Sequence, residues 1–132
     1  MRKTVYENIY TKLEKLGITD LKAYKKIEND PYMPLSIDIL QNNKEQMIIA
    51  LAHNYIQNGD VMADPDMEIR IYKETGMAEA LTYQQDSLGL YQRVYMEKDG
   101  KTFVNTKLKN DLNVFLNRWL KNLIEQGFSC SN

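Results

Sequence analysis

The chain has 132 residues, of which 43% are apolar and 27% are charged, an ordinary composition for a soluble globular protein. A chain of this length can bury a sizeable core without disulfides or metal, so we expect one domain over residues 1–132. The 17 basic and 18 acidic side chains give a net charge of −1. This balance argues against a global field that attracts nucleic acid or an anionic membrane.

Cys130 is the single cysteine of the chain. One thiol cannot form an internal disulfide, so nothing indicates an oxidising compartment. The N-terminal residues lack the apolar segment of a secretory leader, and no stretch approaches the roughly 18 apolar residues of a membrane span. The sequence therefore predicts a cytoplasmic protein without membrane contact.

The N-terminal third is predicted to be helical. Residues 4–16 show the apolar spacing of an amphipathic helix, and Thr4 with Glu7 has the spacing of a capping box. A weaker helix is predicted over residues 20–28. Residues 29–34 contain two prolines, which remove backbone donors and fix φ, so they cannot continue that helix.

The middle of the chain is predicted to be β-rich. Residues 35–39 and 67–72 alternate with period two, and residues 47–55 are apolar at almost every position, as in a central strand covered on both faces. Further strands are predicted over residues 77–84 and 90–97. The side chains expected to face the core include Met67, Ile69, Ile71, Leu90, Val94 and Met96. Short strands separated by turns predict an antiparallel meander.

The last element is predicted to be a long helix over residues 107–126, with Asn105 or Thr106 as its N-cap. Gly127 followed by Phe128 suits a Schellman end. The helix carries an apolar stripe formed by Leu108, Leu112, Phe115, Leu116, Trp119, Leu120, Leu123 and Ile124. The predicted fold class is α+β, an antiparallel sheet of about five strands with this helix packed on one face and N-terminal helices.

Residues 53–68 contain the chain's only histidine and four acidic residues. A structural interpretation assigns Asn58 and Gly59 to a tight turn, because both tolerate positive φ, and the run Asp64-Pro65-Asp66 to a second turn. Under this interpretation His53 is a satisfied core histidine.

A second interpretation is a metal or nuclease site, because carboxylate oxygens are the ligands that hard divalent cations prefer. The carboxylates concerned are Asp60, Asp64, Asp66 and Glu68. The run from Pro65 to Arg70 is superficially similar to the Pro-Asp…Glu-x-Lys pattern of restriction-type nucleases, with Arg70 in place of the lysine. Arginine stays protonated and cannot act as a general base. We assign no catalytic residue, no metal ligand and no cofactor.

A third interpretation is a binding face. If the strands alternate as predicted, one surface opposite the core presents Glu68, Arg70, Tyr72, Tyr91, Arg93 and Tyr95. Tyrosine and arginine are favoured at protein interfaces because they combine large contact area with polar tips. His53, Tyr55 and Tyr83 join this face if their strands are oriented that way.

The chain also resembles an uncharacterised family of small bacterial proteins, many of them carried on plasmids and conjugative elements of Gram-positive bacteria. The matching residues are His53, Tyr55, Gln57-Asn58-Gly59-Asp60, Met62, Asp64-Pro65-Asp66-Met67-Glu68, Tyr83-Gln84-Gln85-Asp86 and Gly89-Leu90-Tyr91-Gln92. The family pattern commonly has a second aromatic residue after the histidine, where this chain has Asn54. The resemblance implies a mobile-element context and no established activity.

Two functional hypotheses follow. The first is a non-enzymatic accessory protein of a mobile element that binds another protein, of unknown identity, through the tyrosine-rich face. It predicts that Tyr91 and Arg93 are exposed. The alternative is a metal-dependent nuclease or hydrolase centred on Asp60, Asp64 and Glu68. The sequence leaves the oligomeric state open, including a homo-oligomer.

Overall fold

The computed structural model describes residues 3–131 and is α+β, with an N-terminal helix α1 (Val5–Lys15) and a C-terminal helix α2 (Thr106–Glu125). One-turn 3₁₀ helices lie at Ile18–Asp20 and Asp86–Leu88. The strands are β1 (Lys25–Asn29), β2 (Tyr32–Asn42), β3 (Gln46–Gln57), β4 (Asp60–Tyr72), β5 (Met77–Ala80), β6 (Thr82–Gln85), β7 (Leu90–Arg93), β8 (Tyr95–Lys98) and β9 (Lys101–Val104).

Seven of these strands form one antiparallel sheet, in the order β1-β2-β3-β4-β6-β7, with β5 also pairing with β4. One edge of β4 pairs with β3. Along the other edge, β4 pairs with β6 at Asp66 and with β5 from Ile69 to Tyr72. Strands β8 and β9 form a separate two-stranded hairpin. The α+β class and the antiparallel sheet are confirmed, but the predicted count of five strands is wrong.

The predicted helix over residues 20–28 is one source of the wrong count. The second half of this segment, residues 25–28, lies in strand β1, in which Ile27 pairs with Leu35 of β2 and is buried. Tyr24, which directly precedes β1, is exposed. Pairing with a neighbouring strand has therefore overridden a weak helical pattern.

Breaks at Leu81 and Val94 are the second source, because each divides a predicted strand in two. The Leu81 N–H donates to the Glu68 carbonyl at 2.7 Å, and the Val94 N–H donates to the Leu81 carbonyl at 2.9 Å. Val94 is buried as predicted, whereas Met96 is 55% exposed, so its predicted inward position is wrong. The chain leaves the sheet after Val94 and enters the β8–β9 hairpin.

Strands β3 and β4 form the longest hairpin, joined by the predicted turn at Asn58 and Gly59. Their φ angles of 53° and 84° are those of a hairpin turn that needs two left-handed residues. The second predicted turn, at residues 64–66, is wrong. Strand β4 continues through it, with a cis Asp64-Pro65 peptide and a register shift opposite Ala52 and Asn54. A bulge is a position where a strand accommodates a proline.

One face of the sheet carries the core. Strand β3 alternates, with Met47, Ile49 and Leu51 buried, while Ile48 and Ala50 are half-buried, so the predicted cover on both faces is wrong. Met67, Ile69 and Ile71 of β4 are buried as predicted. From the helices, the buried partners are Ile9, Leu13, Leu112, Leu116, Trp119, Leu120 and Leu123.

The start of α1 and both ends of α2 have the predicted capping. Thr4 and Glu7 form the capping box of α1, and the Asn105 side chain accepts from the Leu108 N–H at the start of α2. At the other end of α2, the Phe128 N–H donates to the Leu123 carbonyl at 3.1 Å, and Phe128 is buried. This is the expected Schellman arrangement. Within residues 3–131, neither α-helix has the length and apolar character needed to cross a membrane.

Candidate functional site

The face opposite the buried side chains of β4 presents Glu68, Arg70 and Tyr72, because successive strand residues point to opposite sides. Strand β7 adds Tyr91 and Arg93 to the same surface, since Thr82 pairs with Arg93 and Gln84 pairs with Tyr91 beside β4. We use the term Tyr/Arg face for Arg70, Tyr72, Tyr91, Arg93 and Tyr95.

A cavity of about 210 Å³ opens on this face. It is lined by Glu68, Arg70, Leu81, Thr82, Tyr91, Arg93 and Tyr95. Tyr91 is 54% exposed and Arg93 is exposed, as predicted. The cavity lies where β4 exchanges partners, because Leu81 forms the step between β5 and β6.

Tyr72 and Tyr95 are anchored by a buried carboxylate on the same side of the sheet as Arg70. Glu79 of β5 pairs with Arg70 across the sheet and is 5% exposed. It accepts hydrogen bonds from both tyrosine hydroxyls, the one from Tyr95 at 2.5 Å. Burial, as the main cause, together with these contacts raises the pKa of Tyr72 and of Tyr95. Both rings are therefore fixed in place.

Lys109 of α2 completes this cluster. Its Nζ lies 3.8 Å from Oε1 of Glu79, 5.5 Å from the ring centroid of Tyr95 and 5.6 Å from that of Tyr6. A second cavity, of about 240 Å³, lies beside it and is lined by Tyr6, Tyr72, Met77, Ala78, Glu79 and Lys109. Because the Glu79 carboxylate already has three partners, the cluster works as a clamp that joins β4, β5, β8 and α2.

Sequence reasoning missed Glu79 and Lys109. The available signal was weak: a single carboxylate lies between Ala78 and Ala80 in a strand where neighbouring positions are buried. Its tyrosine partners come from residues 72 and 95, so only the folded chain brings the three together.

His53 and Tyr83 are not on the Tyr/Arg face, which corrects that part of the prediction. The His53 ring lies 5.6 Å from Trp119 and 5.8 Å from Phe128, centroid to centroid, and its Nδ1 is 3.1 Å from the Met33 carbonyl oxygen. Burial lowers the pKa of His53. The rings of Tyr83 and Phe115 are perpendicular, with their centroids 5.4 Å apart. Both side chains pack against α2.

Tyr55 lies elsewhere again. It contributes to a groove of about 360 Å³ near the β3–β4 turn, lined by Lys26, Met33, Pro34, Asn54, Tyr55, Ile56 and Val61. This groove is separate from the cavity on the Tyr/Arg face.

The acidic residues of the 53–68 segment are spread along β4. Asp60 is exposed beside the hairpin turn, and Asp64 accepts a hydrogen bond from the Ser87 hydroxyl at 2.7 Å. Burial, with repulsion from Glu68 and from further carboxylates, raises the pKa of Asp66. Among residues 3–131, no group of three or more histidine, cysteine, aspartate or glutamate side chains is placed to hold a metal ion. The geometry thus gives the metal-site alternative no support.

Residues 53–68 and 83–92 meet at the bulge in β4. The carboxylate of Asp86 accepts from the Ala63 N–H at 2.7 Å and from Gln84 Nε2 at 2.7 Å. These two hydrogen bonds, the one from Gln84 first, lower the pKa of Asp86. The Asp86 side chain thus provides an acceptor for a backbone donor at the irregular part of the strand. The side chains of Asp64 and Asp86 therefore have a structural role, because their hydrogen bonds join β4 to the segment around residue 86.

A family model described as Domain of unknown function (DUF6908) matches residues 5–129. The matched range contains both α-helices and every strand described above. No curated protein and no solved structure matches the chain. The chain therefore belongs to the DUF6908 family, a domain family of unknown function.

Proposed function

We propose that this protein is a non-enzymatic accessory protein of a bacterial mobile element, which binds another protein through its Tyr/Arg face. The observation that carries the proposal is the exposure of Tyr91 and Arg93 beside a cavity on the sheet face opposite the buried side chains of β4. Tyrosine and arginine are the residue types enriched among interface hot spots. The mobile-element context rests on the resemblance of residues 53–68 and 83–92.

The anchoring of the other aromatic residues supports the same function. Tyr72 and Tyr95 are held by Glu79, so a partner does not have to immobilise these two rings when it binds. Fixing rotamer-rich side chains at an interface costs about 0.5–1.5 kcal/mol each. The Tyr/Arg face therefore offers two tyrosine rings that are already fixed, Tyr72 and Tyr95, and one exposed tyrosine, Tyr91, that a partner can contact.

The test compares two exposed tyrosines as baits in affinity capture from cells of the natural host. Tyr91→Ala removes the proposed anchor, and Tyr24→Ala removes a tyrosine of similar exposure beside β1. A hot-spot side chain contributes about 2 kcal/mol or more, so Tyr91→Ala is expected to weaken capture of a specific partner roughly 30-fold, whereas Tyr24→Ala retains it.

Thermal unfolding of both variants provides the control for folding, because exposed substitutions change stability by about 0.5 kcal/mol or less. A folded Tyr91→Ala protein that captures the same partners as wild type contradicts the proposed function.

A further inference from the structure

Two arginines, Arg70 and Arg93, line the cavity of the Tyr/Arg face and have no ion-pair partner among residues 3–131. Ion pairs within 4.0 Å that join two residues of the described range 3–131 are Lys26–Glu28, Lys107–Asp111, Lys109–Glu79 and Lys121–Glu125, none of which involves an arginine. Neither Arg70 nor Arg93 lies that close to a carboxylate of residues 3–131. Two guanidinium groups are thus available at one cavity.

The hydrogen bonding of Arg70 is incomplete. A guanidinium group has five N–H donors. One of them, at Nη1, reaches the Tyr72 hydroxyl at the long distance of 3.5 Å. The Nε atom is buried and has no hydrogen-bond partner, and it is the sole buried side-chain nitrogen or oxygen in this state among residues 3–131. An unpaired buried donor costs free energy, which an incoming acceptor can recover.

We propose that this cavity binds the carboxylate of an aspartate or glutamate side chain of the partner protein, held by Arg70 and Arg93. The inference rests on the proposed function, because the carboxylate belongs to the protein that the Tyr/Arg face binds. The planar guanidinium fork matches a carboxylate through two parallel hydrogen bonds. Rotation of the Arg70 guanidinium toward the cavity would exchange two weak contacts, the 3.5 Å hydrogen bond to Tyr72 and the approach of Cζ to 6.0 Å from the Tyr95 ring centroid, for bonds to the carboxylate.

The dimensions of the cavity agree with one side chain. Its volume of about 210 Å³ is below the roughly 300–1,000 Å³ of sites for drug-sized ligands. The Tyr91 ring and the Thr82 side chain form further parts of its wall. A partner's acidic side chain can therefore enter between the two arginines while the partner backbone remains on the surface.

Glu68 opposes this binding, because its carboxylate lines the same cavity. Arg70, Arg93 and Glu68 together give the lining a formal charge of +1. Glu79 is the cross-strand partner of Arg70, and its carboxylate is already bonded to Tyr72 and Tyr95 and lies 3.8 Å from the Lys109 Nζ. Removing the Glu68 charge is consequently expected to strengthen carboxylate binding, a result that a merely structural role of the arginines would not produce.

The experiment follows the side-chain Nε–H signals of the ¹⁵N-labelled full chain by nuclear magnetic resonance. The sequence contains four arginines, so each signal can be assigned by substitution to lysine. The probes are N-acetyl-glutamate methylamide, its neutral glutamine analogue and inorganic phosphate, at equal ionic strength. We expect the glutamate probe to shift the Arg70 and Arg93 signals with an affinity of about 1–10 mM, and the glutamine probe to leave them unchanged.

Three variants sharpen the test. Arg93→Gln changes an exposed residue and is expected to weaken binding of the glutamate probe about 10-fold. Glu68→Gln is expected to strengthen binding several-fold. Lys98→Gln removes an exposed cation of the β8–β9 hairpin, outside the cavity lining, and is expected to change nothing.

Two results would overturn the inference: no shift of either arginine signal with the glutamate probe, or a phosphate response equal to or larger than the carboxylate response. If the glutamate probe fails while Tyr91→Ala still abolishes partner capture, the carboxylate inference falls and the proposed function stands. If Tyr91→Ala leaves capture intact, the proposed function falls, and this inference falls with it whatever the probe does.

Discussion

Asn113 binds the outer edge of strand β5 at Ala80, and its removal tests how much this buried hydrogen bond contributes to stability. Strand β5 pairs with β4 along one edge, and its other edge faces α2. There the Asn113 Oδ1 accepts from the Ala80 N–H at 2.8 Å, and its Nδ2 donates to the Lys109 carbonyl at 2.8 Å. Asn113 is fully buried, so Asn113→Ala leaves the Ala80 donor without an acceptor.

The expected magnitude follows from this geometry. An unsatisfied buried donor costs about 1–3 kcal/mol. Alanine is favoured over asparagine inside a helix by roughly 0.5 kcal/mol, so the matched control is Asn110→Ala, an exposed position on the same helix. For 132 residues, an unfolding entropy of about 2.1 cal/mol/K per residue gives about 0.28 kcal/mol/K. The Tm of Asn113→Ala is therefore expected to lie about 4–10 °C below that of Asn110→Ala.

The assay is thermal unfolding of both variants, together with hydrogen exchange at the Ala80 amide. Asn113→Ala is expected to speed exchange at Ala80, because the donor loses its acceptor, while Asn110→Ala leaves that rate at the wild-type value. Equal Tm values for the two variants, or an unchanged exchange rate at Ala80, would refute the reasoning.

Three further substitutions test other features of the molecule. Gly127 has a φ of +91°, which L-residues with a Cβ avoid, so Gly127→Ala is expected to lower the free energy of unfolding by about 1–2 kcal/mol in urea; no loss would show that strain is absent there. Glu79→Gln keeps the shape of the clamp but removes its charge, and a loss of about 1–3 kcal/mol is expected in the same assay; an unchanged midpoint would show that the charge is dispensable. Burial and neighbouring carboxylates raise the folded-state pKa of Asp66 above 3.8, so the folded state holds this proton more tightly, and the stability due to Asp66 falls as pH rises from 3.8 through the raised pKa. Asp66→Asn is therefore expected to raise Tm at pH 7 and to lose that advantage at pH 3, whereas the exposed control Asp60→Asn is expected to leave Tm at pH 7 nearly unchanged.

Local patterns predicted the elements whose form depends on nearby residues. The stripe of α2, the Schellman end at Phe128 and the turn at Asn58 and Gly59 are of this kind, because each is fixed by residues a few positions apart. The errors arose where a distant strand decides the outcome. Ile27 became strand because Leu35 lies beside it, and Pro65 stayed within β4 because β3 pairs on both sides of the bulge.

The same distinction applies to the candidate site. The exposure of Tyr91 and Arg93 followed from alternation along one strand. The orientation of His53 also follows from alternation, because His53 lies two residues after the buried Leu51 and points to the same side of the sheet. Glu79 was beyond such reasoning, because its partners are contributed by a neighbouring strand, the hairpin and α2. Glu79 and its partners are far apart in the sequence and come together only in the folded chain.

The β8–β9 hairpin is closed at its base, where the Asn105 N–H donates to the Val94 carbonyl at 2.8 Å. Its entry and exit therefore meet at one point, between the end of the sheet and the start of α2. The length of the β8–β9 hairpin can therefore change without moving the sheet or α2, provided that Tyr95, its first residue, stays in place. The turn at Asp99 and Gly100 is consequently a natural insertion point for a label or tether, and a position where related chains can vary in length while the sheet and helices remain the same.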